Sequence, residues 1–182
     1  MHKVIDGFLD EDFCKAFTTY ALSERLERFV PYSKKPNETP GPNTHGRSVD
    51  RFTESALKAF MPRVQRHIRK EIFPSYSFYI VYEYGARLNP HTDKDTCEIS
   101  ITVPTGYLYS DSDKRDVWPI YIDNHPVKLN TGDALLYTQD PKKPIHWREP
   151  FDGVYQVQLL FHYVTGSPSK SPVPIRKLTQ DA

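Results

Sequence analysis

The sequence predicts a mainly β chain of the α+β class: a jelly-roll or sandwich with helices from the N-terminal part packed on one outer face. Three observations lead there. The apolar periodicity changes from steps of three and four to steps of two at about Tyr76. The segments beyond that point are short and separated by turn residues. Phe and Tyr supply 10 and 12 of the 182 residues, and aromatic side chains pack well on a pleated surface.

The first helix is expected to begin after Asp10, whose carboxylate can cap it, with Glu11 and Asp12 in the first turn where the helix dipole favours negative charge. Phe13, Ala16, Phe17, Tyr20 and Ala21 form its apolar face, and it should fade near Arg28, before Pro31. Residues 31–47, with SKKPNETPGPNTHGR at their centre, read as a long loop of the kind that serves as a lid or substrate clamp, or simply as a mobile surface loop. A second helical region places Leu57, Phe60, Met61, Val64 and Ile68 on one side, and Pro62 should begin a new helix or kink this one. Strands follow at Tyr76–Tyr84, Cys97–Val103, Pro119–Asp123, Val127–Leu129, Ala134–Thr138, Ile145–Trp147 and Val154–Val164. Turns such as Thr131-Gly132-Asp133 and Phe151-Asp152-Gly153 separate them. Residues 1–165 are expected to form one domain, and 166–182, rich in Ser, Pro and Lys, a loosely ordered tail.

Composition narrows the function classes. The formal net charge is +1, so no nucleic-acid partner is expected; Lys34-Lys35 and Arg176-Lys177 read as solvated surface. Cys14 and Cys97 lie far apart and flank no CxxC or Cys/His zinc pattern, which suits free thiols in a reducing compartment. Residues 1–8 lack a signal-peptide pattern, and no segment approaches the roughly 18 apolar residues of a membrane span. A soluble, cytoplasmic protein is the expectation.

The chemistry-bearing pattern is His91-Thr92-Asp93 followed by His146. His-x-Asp alone is a short motif that chance supplies readily. Its setting adds weight: it follows the strand-like YSFYIVYEY and the turn-like GARLNP, and precedes CEISITV. In extended chain, residues i and i+2 point the same way, so His91 and Asp93 can face one point. His146 opens a later strand-like segment, far enough along for a jelly-roll chain to cross and return. Two imidazoles and one carboxylate make a facial triad, which suits non-haem iron(II) because three coordination positions stay open; a closed zinc site wants a fourth protein ligand. The same residues also fit a turn histidine, a capping aspartate and a strand histidine bonded to a neighbour.

The segments YEYGARLNPHTDKDTCEISITVP, GDALLY and IHWREPFDGVYQVQLLFHYV, with VIDGFLDEDFCKAF near the start, resemble the iron(II)- and 2-oxoglutarate-dependent oxygenases, on their prolyl 4-hydroxylase side. The resemblance spans most of residues 3–164. It implies a double-stranded β-helix (jelly-roll) core, with His91, Asp93 and His146 as ligands of Fe(II). It also implies 2-oxoglutarate and O2 as co-substrates, and hydroxylation of a C–H bond of a peptide or small molecule with release of succinate and CO2. No side-chain acid or base is required for that reaction. Tyr82 matches a tyrosine that hydrogen-bonds 2-oxoglutarate in related hydroxylases; it also reads as a core aromatic.

One departure from the family matters. An Arg or Lys about ten residues after the second histidine usually pairs with the distal carboxylate of 2-oxoglutarate, and here the stretch reads Tyr155-Gln156-Val157-Gln158. A buried carboxylate without a partner costs several kcal/mol. Arg148, two residues after His146, shares that strand face and offers a bidentate fit, with Gln156 or Gln158 adding amide donors. Otherwise Arg148 pairs at the surface with Glu149 or Asp152, and the chain binds another keto acid or is a non-catalytic metal- or ligand-binding jelly-roll. Tyr79, Tyr107, Tyr109, Trp118 and Trp147 are candidates for an aromatic cleft lining. A cupin-type centre would present three histidines and a glutamate, which His91-Thr92-Asp93 with His146 does not match.

Overall fold

The computed structural model describes residues 2–27, 41–48, 50–110 and 117–166. The element order is β1 (His2–Ile5), α1 (Glu11–Glu27), β2 (Thr44–Ser48), α2 (Arg51–Ile68), β3 (Ile72–Glu83), β4 (Leu88–His91), β5 (Ile99–Leu108), β6 (Ile120–Ile122), β7 (His125–Val127), β8 (Ala134–Thr138), β9 (His146–Arg148) and β10 (Tyr155–Thr165). The strands make a six-stranded sheet, ordered β1-β8-β5-β10-β3-β2, and a four-stranded sheet, ordered β4-β9-β6-β7. Every pairing is antiparallel. This is the expected mainly β jelly-roll with helices on one outer face.

Both helices start on aspartate caps. Asp10 Oδ1 accepts from the Phe13 amide at 2.8 Å, and Asp50 Oδ1 accepts from the amides of Phe52 and Thr53. Such caps each contribute about 1 kcal/mol. On α1 the buried stripe is Cys14, Phe17 and Ala21, flanked by half-buried Phe13 and Tyr20. Ala16, expected on that face, is exposed instead, because the stripe runs at i, i+3 and i+7 from Cys14. α2 continues through Pro62, so Pro62 does not begin a new helix. Pro62 and Lys58, whose carbonyl loses its helical partner, both lie on the exposed side, where solvent can take up the freed bond.

The main core lies between the helices and the six-stranded sheet and contains Phe8, Phe17, Leu57, Val64, Val81, Ile101, Val157, Leu159 and Phe161. β10 sits near the centre of that sheet, paired to β3 and β5 along its length. Its odd-numbered residues Val157, Leu159, Phe161 and Tyr163 belong to this core. Its even-numbered residues face the opposite way, toward the four-stranded sheet. The two sheets close on each other through smaller clusters, Tyr82–Trp118–Phe151 and Ile122–Leu135–Tyr137 among them. Gly132, at φ +87°, holds the expected turn before β8; its amide donates to Pro104 and its carbonyl accepts from Leu9, tying the turn to the start of α1.

Two strands lie in segments expected to be loop or turn. Residues 44–48, all but the last within the expected loop 31–47, pair with β3 as the sheet-edge strand β2; THGRS has neither apolar alternation nor β-branched density to announce it. Residues 88–91 form β4. Its Pro90 cannot donate to a ladder but is tolerated because β4 is also an edge. Residues 31–40 of the proposed lid and the tail from 167 lie outside the described residues. Both cysteines are free thiols and buried. Among the described residues, no helix is long and apolar enough to cross a membrane.

Candidate metal centre

β4 and β9 are adjacent, and their register sets His91 directly opposite His146. The imidazole centroids lie 4.2 Å apart. Asp93, two residues past His91, brings Oδ1 to 3.7 Å from His91 Nε2 and 3.5 Å from His146 Nε2. Both separations are shorter than the sum of two bonds of about 2.0–2.2 Å to a shared ion. The three residues that the sequence singled out are thus brought together, with His146 buried and the other two half-buried.

Their hydrogen bonds prepare the right atoms. His91 Nδ1 donates to the Asn89 carbonyl at 2.9 Å and His146 Nδ1 to the Pro144 carbonyl at 3.4 Å. Each Nε2 is then the lone-pair nitrogen, the arrangement that metal-bound histidines use. Burial, followed by the neighbouring His146, lowers the pKa of His91, so its neutral, ligating form is favoured. Asp93 Oδ2 accepts from Tyr137 Oη at 2.8 Å and from Ser100 Oγ at 3.1 Å, which leaves Oδ1 toward the histidines. Burial pushes the Asp93 pKa up, but the neighbouring His146, with His162 and the Tyr137 hydrogen bond, outweighs it and holds the carboxyl well below the usual range. The donor set and the fixed tautomers fit a divalent ion with open positions.

Asp93 also approaches Cys97 and His162, with candidate ligand atoms within 4.8 Å of one another. Burial pushes the Cys97 thiol up to about 11, and its sulfur bonds Tyr76 Oη at 3.1 Å, so it stays a protonated thiol. His162, brought down to about 4 chiefly by burial, is neutral and bonds Ser100 through Nδ1. This second group supports Asp93 rather than forming a second centre.

The triad opens into a cavity of about 570 Å³ between the two sheets, which Tyr82, Thr102, Arg148 and Gln158 also line. Arg148 shares the triad's cavity because it follows His146 by two along β9. It is 3% exposed. Nη1 donates to the Trp118 carbonyl at 3.0 Å and Nη2 to Gln158 Oε1 at 3.1 Å, and the guanidinium lies 4.6 Å over the Trp118 ring. It pairs with neither Glu149 nor Asp152, and no carboxylate among the described residues neutralises it. Burial lowers its pKa, partly offset by Tyr82, Tyr107 and Tyr109, but a guanidinium keeps its proton in a protein. Tyr82, pushed up to about 12 by burial against the opposing effect of Arg148, remains a phenol.

On β10, Gln158 rather than Gln156 lines the cavity. Gln156 Nε2 donates to Gln158 Oε1 at 2.5 Å, and Gln158 Nε2 to Thr102 Oγ1 at 2.6 Å. Tyr76, Phe78, Tyr82 and Tyr137 supply the aromatic lining, and none of the five aromatics proposed from sequence is among the lining residues. On β3 the even residues face the cavity while Tyr79 enters the helix-side core. Tyr107 donates to the Leu129 carbonyl, Tyr109 packs on Phe151, Trp118 lies beneath Arg148 and Trp147 stacks on Tyr121. Sequence reasoning missed Ser100, Tyr137 and His162. The even-residue spacing of His162 with Gln156 and Gln158 was the one signal for it.

No protein-family model and no curated protein matches the chain. Solved structures do. A Pseudomonas putida prolyl-4-hydroxylase superposes with a TM-score of 0.67 at 13% identity, over 91% of this chain and 93% of that one. The viral collagen prolyl hydroxylase of Paramecium bursaria Chlorella virus-1, in its 2-oxoglutarate complex, gives 0.66 at 11% identity, over 89% and 94%. A Trichoplax adhaerens prolyl hydroxylase, bound to a peptide of the hypoxia-inducible factor degradation domain, gives 0.64 at 14%, over 89% and 83%. The chain has the fold of these hydroxylases.

Proposed function

We propose that the protein is an iron(II)- and 2-oxoglutarate-dependent oxygenase that hydroxylates a C–H bond of a peptide or small-molecule substrate. The observation that carries this reading is a buried guanidinium without a carboxylate partner among the described residues, in the same cavity as three converging metal-ligand atoms. Burying a charge costs several kcal/mol unless it is paired. Arg148 is therefore a site prepared for an anion, and a dicarboxylic keto acid supplies one at the right end of the cavity.

His91 Nε2, His146 Nε2 and Asp93 Oδ1 would hold the ion. With 2-oxoglutarate and O2, bound iron(II) would supply the oxidation chemistry that turns C–H into C–OH as the keto acid becomes succinate and CO2. Arg148 would take the distal carboxylate, Tyr82 would donate its phenol hydrogen to the same ligand, and Gln158 would hold the guanidinium in place. The charge expected on the last strand would thus come from β9, with a neutral amide facing it from β10. The apolar walls would keep water from the reacting atoms.

The test is spectroscopic and then chemical. Protein loaded anaerobically with iron(II) should develop the visible charge-transfer band of the chelate when 2-oxoglutarate is added, and should form succinate when O2 is admitted. Bound iron with neither band nor succinate would overturn the proposal. A band without succinate, over a broad substrate panel, would favour a non-catalytic ligand-binding jelly-roll.

A further inference from the structure

The metal triad and Arg148 use one wall and one end of the cavity; the floor made by β3 and β10 adds residues that belong to neither. Cross-strand register on β10 and β3 pairs Gln158 with Ile80, Leu160 with Phe78 and His162 with Tyr76. The floor therefore grades from polar, beside Arg148, to apolar and aromatic, beside Asp93. Tyr76, Phe78 and Leu160 are half-buried, which leaves apolar surface facing the cavity they line.

His162 stands at the end of this row, 3% exposed, with its ring 4.6 Å from that of Tyr76. Its tautomer follows from hydrogen counting. Ser100 Oγ has one hydrogen, and it goes to the Asp93 carboxylate, which can only accept. The 3.0 Å contact between Ser100 Oγ and His162 Nδ1 must then be an Nδ1–H donated to the serine. Nε2 is left as a lone-pair acceptor. It has no hydrogen-bond partner among the described residues, and it is not among the sealed, unpartnered side-chain atoms, so it opens to the cavity.

We propose that this end of the cavity is the substrate subsite, with His162 Nε2 accepting a hydrogen bond from a substrate O–H or N–H while Tyr76, Phe78 and Leu160 hold an adjoining compact apolar group. The assignment rests on the oxygenase reading for the position of the metal. It narrows the substrate to a donor-bearing small molecule or side chain. A peptidyl proline ring fits it poorly, since its nitrogen carries no hydrogen. The cavity, about 570 Å³ in all, must also hold the keto acid, which further limits size.

The experiment uses metal-free protein without keto acid, so its outcome is independent of whether the protein is an oxygenase. Nitrogen-15 NMR of the histidines should show His162 Nδ1 protonated and Nε2 bare. Phenol, a flat apolar ring with one donor, should bind with shifts at His162, Tyr76 and Leu160. It should bind roughly three- to tenfold more tightly than anisole, which lacks the donor, as expected of one added hydrogen bond. His162→Phe keeps the ring and should erase that preference. A protonated Nε2, equal binding of the two probes, binding of neither, or a preference that survives His162→Phe would each overturn the proposal. The first three are read on the unaltered chain, so they do not depend on how well the variant folds.

Discussion

Replacing Arg148 with Met removes the charge and keeps an unbranched apolar side chain of similar reach. In the ligand-free protein the change should alter stability little. The variant loses the bonds to Trp118 and Gln158 and the contact with the Trp118 ring, together worth about 2–3 kcal/mol. It also no longer buries an unpaired cation, a penalty of several kcal/mol. A net change within about 2 kcal/mol is expected in urea unfolding. Keto-acid binding should respond quite differently. A carboxylate left in this cavity without its cation costs about 3–5 kcal/mol, so 2-oxoglutarate affinity should fall by about two to four orders of magnitude. The anaerobic charge-transfer titration reads this directly. Pyruvate, which chelates with the same two groups but has no distal carboxylate, is the control, and its affinity should change less than about threefold. A 2-oxoglutarate affinity reduced less than tenfold, or reduced equally for pyruvate, would refute Arg148 as the anchor.

Further outcomes follow from the same contacts. Gln158→Glu places a carboxylate where Gln158 Oε1 meets Arg148; the unliganded protein should melt at higher temperature, while 2-oxoglutarate binds at least about tenfold more weakly. Tyr137→Phe removes one of two hydrogen bonds to Asp93 Oδ2 and should weaken metal affinity about 10–100-fold in a cobalt(II) titration. His162 has its pKa brought down to about 4, chiefly by burial, against about 6.5 unfolded. Only the unfolded chain takes up that proton between those values, so stability of the metal-free protein should fall as pH drops from about 6.5 to about 4, by roughly 3 kcal/mol. Urea midpoints across that window should be flatter in His162→Phe; identical slopes would contradict the assignment. Gly132→Ala should lower the melting temperature by destabilising the fold about 2–3 kcal/mol: the added Cβ would lie 2.5 Å from the Leu9 carbonyl at a φ of +87°.

What could be read from the sequence was whatever carries periodicity or a fixed spacing. The strand at Ala134–Thr138 has the expected bounds, and α1 starts at its expected cap, since alternation and capping chemistry are local. The spacing of His91 and Asp93 was legible because residues i and i+2 of extended chain face one way, although β4 itself ends at His91 and Asp93 lies just beyond it. Edge strands were not, because β2 and β4 are defined by the neighbour they pair with and not by their own side chains. Facing was the other blind spot. Tyr79 was a candidate for the cleft as well as for the core, and the parity of β3 sends it into the helix-side core; a one-residue choice decides between compartments. Arg148 stood out because the last strand lacks a cation, but only packing reveals that its charge is buried and that Gln158 is the residue facing it.

The alternation along β10 has a consequence for how such a protein can change. Val157, Leu159, Phe161 and Tyr163 are locked into the helix-side core, while Gln158, Leu160 and His162 border the cavity. One strand therefore carries two nearly independent sets of positions, interleaved residue by residue. Exchanges in the even set should redraw which molecules are admitted while the odd set goes on specifying the shape of the barrel. A combinatorial library confined to positions 158, 160 and 162 would explore new selectivity on an unaltered scaffold, and randomising their odd-numbered neighbours would yield mostly unfolded chains.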